Sequence, residues 1–274
     1  MSGYKIPILA SIGRAYRSVF GHLRLAASFA WRPLVIILLI ELVGPALLLG
    51  RNRLLLLALV PTIGFLFFGS IFIVRWYRFV LISDSDNSGL FPLGWRPFLV
   101  VCLQLALLFL ASIVIQIVNL AIATHNLFAL SPETIRPLPP IIVLASTIWF
   151  VIALFLGFRV CLVFPAAAIE RPIGFGTAWN LLAGNYWRLL LCAIACYLPF
   201  HIAGSVAEGM GIFVDWRSTV LFIVGGGRSP GWVLSRALSL AIAFAGVGVV
   251  AALLSNAYRE ITGEGRDGIG GAFD

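Results

Sequence analysis

The chain has 274 residues, 61% of them hydrophobic and only 11% charged. A soluble domain carries about 25% charged residues, so this balance excludes an ordinary water-soluble globule and makes lipid part of the solvent. The net charge of +8 does not point to nucleic acid: the basic residues are scattered singly at the ends of apolar runs, which fits a positive-inside bias and contact with anionic lipid headgroups.

Residues 1–30 lead into the first apolar run. Lys5, Arg14, Arg17, Arg24 and Arg32 are spread across this leader, unlike a cleavable signal, whose apolar core follows its basic start directly. Between Ile8 and Ala30, Ile8, Leu9, Ile12, Ala15, Tyr16, Val19 and Phe20 recur at helical spacing with basic residues between them. That pattern predicts an amphipathic helix lying in the membrane interface. A span needs roughly 20 apolar residues, and six stretches qualify between residues 31 and 260. They are Trp31 to Leu49, Leu54 to Trp76, Phe98 to Thr124, Ile141 to Phe164, Trp187 to Gly211 and Trp232 to Tyr258.

The connections carry turn formers. Arg51-Asn52-Arg53 joins the first two spans, and Ser83 to Gly89 follows the second. Pro132, Pro137, Pro139 and Pro140 interrupt any helix before the fourth span, and Pro165 marks a kink or end of that span. Ile173 to Tyr186 is too short and polar to cross, and is expected as a short surface helix. The apolar run Val220 to Val224 is also below spanning length. Residues 261–274 form a glycine-rich tail that is expected to be mobile.

An inside amino terminus places 13 basic residues in cytoplasmic segments and six outside, Arg236 among the six. This is the orientation of a bacterial inner-membrane protein with both termini cytoplasmic. Arg51 and Arg53 fit it poorly, and would instead suit a shallow first hairpin. The odd spans open alike, on Trp31-Arg32-Pro33, Trp95-Arg96-Pro97 and Trp187-Arg188-Leu189. Tryptophan suits the interface, arginine reaches inner phosphates, and proline suits a first helical turn. The expected fold is therefore an all-α bundle of three helical hairpins in parallel repeat.

The segment after Arg159 runs through Phe164-Pro165-Ala166-Ala167, Glu170 and Trp179-Asn180 to Gly184-Asn185-Tyr186-Trp187-Arg188. With Val74-Arg75-Trp76-Tyr77-Arg78 and the closing Ser255-Asn256-Ala257-Tyr258-Arg259-Glu260, it resembles a family of bacterial six-helix membrane proteins. That family includes the membrane domain attached to some glycerophosphoryl diester phosphodiesterases, and stand-alone relatives. The resemblance implies a helical bundle in an inner membrane. It does not imply phosphodiesterase activity, because that chemistry resides in a separate soluble barrel of about 250 residues.

A charge at the bilayer centre costs at least about 2.5 kcal/mol, so each one requires an account. Glu41 lies mid-span in the first stretch, Arg159 in the inner half of the fourth, and Glu208 towards the outer part of the fifth. His201, Ser205 and Glu208 share one helix face by spacing. Glu41, Arg159, His201 and Glu208 form the candidate polar site. They are either stations on a proton or solute path, or groups that pair to fix helix packing; for Arg159 the expected role is structural, snorkelling inward or pairing with Glu170 or another carboxylate. Gln104, Gln116 and Asn119 are expected as interhelical glue. Ala237, Ala241 and Ala245, with Ser239 and Ala243 close by, make a small-residue stripe for close packing in the bundle or in a dimer.

No cofactor or metal site is implied. The three histidines lie in separate segments, the four cysteines sit in apolar runs, and Gly225-Gly226-Gly227-Arg228-Ser229 lacks a phosphate-loop ending. The leading expectation is a non-enzymatic membrane protein, lipid-associated or scaffolding, with a protein partner or a second copy as further options. A small-solute or proton-coupled transporter is the alternative if the polar residues line a continuous cavity. An intramembrane lipid-modifying enzyme is a third reading, favoured by a pocket opening sideways to lipid headgroups.

Overall fold

The computed structural model describes residues 5–47, 53–83, 140–171, 173–214 and 230–263, and every element in them is a helix. In chain order these are α1 (Ile8–Phe20), α2 (Leu23–Leu47), α3 (Arg53–Ile82), α4 (Pro140–Arg159), α5 (Val163–Ala168), α6 (Phe175–Leu181), α7 (Tyr186–Val214) and α8 (Pro230–Thr262). Four are long and apolar enough to cross a membrane, over Leu23–Leu42, Ile63–Ile82, Tyr186–Met210 and Gly231–Thr262. The shortest of these has 20 residues, which at 1.5 Å per residue reaches about 30 Å, the thickness of a hydrocarbon core. The expected third span, the short apolar run Val220 to Val224 and the tail beyond Gly263 lie outside the described residues. The count of six spans and the threefold hairpin repeat therefore depend on segments outside the description.

The amino-terminal helix is shorter than the leader pattern implied. It stops at Phe20, and the chain turns through Gly21 and His22 before α2 begins at Leu23. Gly21 donates its N–H to the Arg17 carbonyl at 2.8 Å. A Cβ there would meet that oxygen at 2.7 Å, so the turn requires glycine. Residues 23–30 consequently belong to the first membrane helix. Pro33 stands well inside α2 and not in its first turn.

Helix α1 is more than a surface element. Ser11, Ala15 and Val19 are buried along one face, and it packs on α7 and α8. Its leading strand is pinned as well: Ile6 donates its N–H to Asn185 Oδ1 at 3.0 Å, and Arg188 donates to the Ile6 carbonyl at 3.2 Å. Tyr16 donates its hydroxyl to the Cys196 carbonyl at 3.1 Å, and Arg14 pairs with Glu260. Burial holds the Tyr16 phenol above its ordinary value, with Cys196 adding to the effect.

Helix α4 ends at Arg159, five residues before the expected boundary at Phe164. Tight turn bonds follow, from Val160 N–H to Gly157 and from Cys161 N–H to Phe158, both 3.3 Å. Helix α5 then opens, with Pro165 in its first turn, where a missing N–H loses no helical bond. Pro165 thus lies in the first turn of a helix that begins at Val163, and does not end one. The expected surface helix within Ile173 to Tyr186 is α6, which buries only Ala178.

Helix α8 is the centre of the bundle. It packs most extensively on α7 and also touches α1, α2, α3 and α5. Phe72 and Trp76 of α3 stack at 6.2 Å between Phe29 of α2 and Phe244 of α8. Helices α7 and α8 approach closely where Gly246 faces Phe200: a Cβ on Gly246 would lie 2.8 Å from the Phe200 Cβ. The expected alanine stripe is not this contact, because Ala241 is exposed. The face turned to α7 carries Ser239 and Ala243, the small residues named beside the stripe, and Gly246, an offset set by the rotation of α8 about its axis.

Candidate functional site

The polar residues of three helices meet at Arg236, six residues into α8. Its guanidinium forks onto Glu41 of α2, with Nε donating to Oε2 at 2.7 Å and Nη2 to Oε1 at 2.6 Å. The third nitrogen, Nη1, donates to Glu208 Oε1 on α7. Ser239, one turn along α8, donates its hydroxyl to the same Glu208 oxygen at 2.9 Å. A bidentate guanidinium–carboxylate pair is the strongest arrangement of these two groups. It also satisfies a carboxylate that would otherwise be an uncompensated charge: the Glu41 side chain is only 5% exposed, against 30% for Arg236 and 47% for Glu208.

Glu41 is not central in its helix. Because α2 begins at Leu23, Glu41 stands 18 residues from its start and six from its end at Leu47. Glu208 is likewise six residues from the end of α7, and Arg236 is six from the start of α8. The clamp therefore ties three helices together near one end of the bundle.

An open cleft of about 250 Å³ borders the clamp. Helix α7 contributes Tyr197, Phe200, His201, Gly204, Ser205 and Glu208; α8 contributes Arg236, Ser239, Leu240 and Ala243; α3 contributes Phe65. The spacing of His201, Ser205 and Glu208 does place them on one face. The His201 ring stacks on Tyr197 at 5.9 Å, and Ser205 donates back to the His201 carbonyl at 2.9 Å. Elsewhere on α7, Leu198, Ile202 and Val206 are exposed apolar side chains.

Arg159 is elsewhere. Its guanidinium sits over Trp179, Tyr186 and Phe155, at 4.6, 4.9 and 5.6 Å from the ring centroids. Tyr186 opens α7 and Glu208 lies 22 residues along it, about 33 Å at helical rise. The expected pairing with Glu170 is not made. Glu170 pairs with Arg78 at 3.6 Å, and Arg78 also donates to the Ala168 carbonyl. Aromatic faces hold Arg159 because its helix ends where Trp179 of α6 and Tyr186 of α7 meet Phe155, one turn back on α4.

Of the four expected site residues, the fold brings Glu41, His201 and Glu208 to one cleft and its clamp, and leaves Arg159 apart. Arg236 and Ser239 were missed. Counting Arg236 as an outer flanking charge concealed it, although a cation inside the apolar run after Trp232 is the natural partner for acids inside the other apolar runs. Gln104, Gln116, Asn119 and Cys102 lie outside the described residues; Cys161, Cys192 and Cys196 are buried thiols. Among the described residues no three of His, Cys, Asp and Glu gather as a metal would require. No protein-family model, curated protein or solved structure matches the chain.

Proposed function

We propose that the chain is a multi-pass inner-membrane protein without catalytic activity, and that its polar clamp maintains a lipid-facing cleft through which it associates with membrane lipid. The resemblance to the bacterial six-helix family supports the membrane and the six-helix plan. One observation carries the functional reading: the acids are tied to one guanidinium beside an open cleft, and the helix that lines it, α7, also exposes apolar Leu198, Ile202 and Val206. A guanidinium locked between two carboxylates fixes helices and moves no proton. The positive-inside count supports cytoplasmic termini. Reporters at Asp86 and Pro132 are expected to give opposite compartment signals, and matching signals would remove the six-span plan.

The transport reading has one observation in its favour, the gathering of Glu41, His201 and Glu208 at one cleft. Liposomes carrying the purified protein decide between the two. An imposed pH gradient is expected to decay at the rate of empty vesicles. A saturable proton flux lost in Glu41→Gln would establish transport and end the non-transporting reading.

A further inference from the structure

We propose that the cleft beside Glu208 is a binding site for a primary ammonium group, the chemistry presented by an aminophospholipid headgroup or by a small free amine. The proposal rests on reading the cleft as lipid-facing, and deepens it by naming the ligand class.

The charge balance comes first. One guanidinium faces two carboxylates, and Glu41 takes the bidentate fork. The charge left over sits on Glu208, the more exposed of the two acids. Both donors to Glu208, from Arg236 and Ser239, reach the same oxygen, Oε1. Its Oε2 accepts no hydrogen bond among the described residues, and the side chain lines the cleft. A half-exposed carboxylate with one oxygen unengaged in a cleft calls for a cation that can donate.

The walls narrow the class. Ser205 lines the same cleft, and because its hydrogen is donated to the His201 carbonyl, its lone pairs remain acceptors. Tyr197 and Phe65 supply aromatic surface that attracts cations. A primary ammonium has three N–H donors for such acceptors, whereas a quaternary ammonium has none. An anion would meet surplus negative charge. The volume of about 250 Å³ falls below the range of about 300–1,000 Å³ typical of drug-sized ligands, which fits a headgroup and not a large solute.

The test loads full-length, detergent-purified protein from vesicles of equimolar phosphatidylethanolamine and phosphatidylglycerol, re-purifies it, and measures retained lipid by mass spectrometry. Enrichment of phosphatidylethanolamine is expected, falling when its headgroup is trimethylated. In Glu208→Gln, whose amide oxygen can still accept from Arg236 and Ser239, the enrichment should drop roughly tenfold, the loss of one charge-assisted bond. Ser205→Ala, which leaves the clamp untouched, should drop it by a smaller factor. Equal retention of both lipids by wild type and variants would overturn the ammonium site while leaving lipid association standing. A parallel arm adds free ethanolamine to delipidated protein and reads thermal stability. Stabilisation lost in Glu208→Gln, without lipid retention, supports the ammonium site with a soluble amine as its source and overturns the lipid-facing reading. No lipid retention and no ethanolamine effect overturns both.

Discussion

Replacing Arg236 with methionine removes the guanidinium and leaves an aliphatic chain of similar length. Glu41, with its side chain 5% exposed, then loses both of its donors and remains between packed helices. Stripping one partner from a buried ion pair costs about 3–5 kcal/mol. Glu208 is nearly half exposed and keeps the Ser239 hydroxyl, so it adds little, and the lower figure of about 3 kcal/mol applies. For a chain of this size that corresponds to a fall in melting temperature of about 6–12 °C. The assay is the temperature at which detergent-purified protein loses its monodisperse peak in size exclusion. The double replacement Arg236→Met with Glu41→Met is expected to recover most of the loss, because an apolar pair of similar volume removes the orphaned charge. A single variant within about 2 °C of wild type, below the shift for 1 kcal/mol, would refute the clamp as a stabilising element.

Gly246→Ala is expected to destabilise by about 1–3 kcal/mol, because its Cβ would fall 2.8 Å from the Phe200 Cβ. The same melting assay reads it, and Phe200→Ala should relieve only the ring contacts at 3.0 and 3.3 Å, because alanine keeps the Cβ. Tyr16→Phe removes the bond to the Cys196 carbonyl and should cost about 0.5–1.5 kcal/mol at neutral pH. Burial raises the Tyr16 phenol above its ordinary value of 10. The stability it adds is therefore present below pH 10 and lost as pH rises through the raised value, so wild type should weaken there more than Tyr16→Phe. Trp179→Leu should cost about 0.5–2 kcal/mol through the Arg159 stack, and an unchanged melting temperature would show that the stack contributes nothing.

Much of this protein was legible without a fold. Long uncharged runs mean helices in lipid, because a backbone with no water must bond to itself. Four such helices are present among the described residues, and the surface helix after Ile173 is where its glycine-rich, polar pattern placed it. The spacing of His201, Ser205 and Glu208 also held, since residues on one helix share a face by geometry alone. Helix ends were less legible. Gly21 divides the leader and Pro165 lies in the first turn of a helix, yet each residue type is compatible with either use until the flanking hydrogen bonds are known.

The tertiary structure alone decided which charges are partners. Arg236 and Glu41 are 195 residues apart in sequence, and nothing local relates them. Their meeting depends on how far each helix extends and how it is rotated. An earlier start for α2 carried Glu41 towards one end of the bundle, and the rotation of α8 turned Arg236 and Ser239 to α7 while exposing Ala241. The same rotations left Arg159 among three rings and gave Glu170 to Arg78. Composition sums over residues and periodicity repeats along one helix, so both survive without a fold. A pairing across helices is a property of relative position, and only packing sets it.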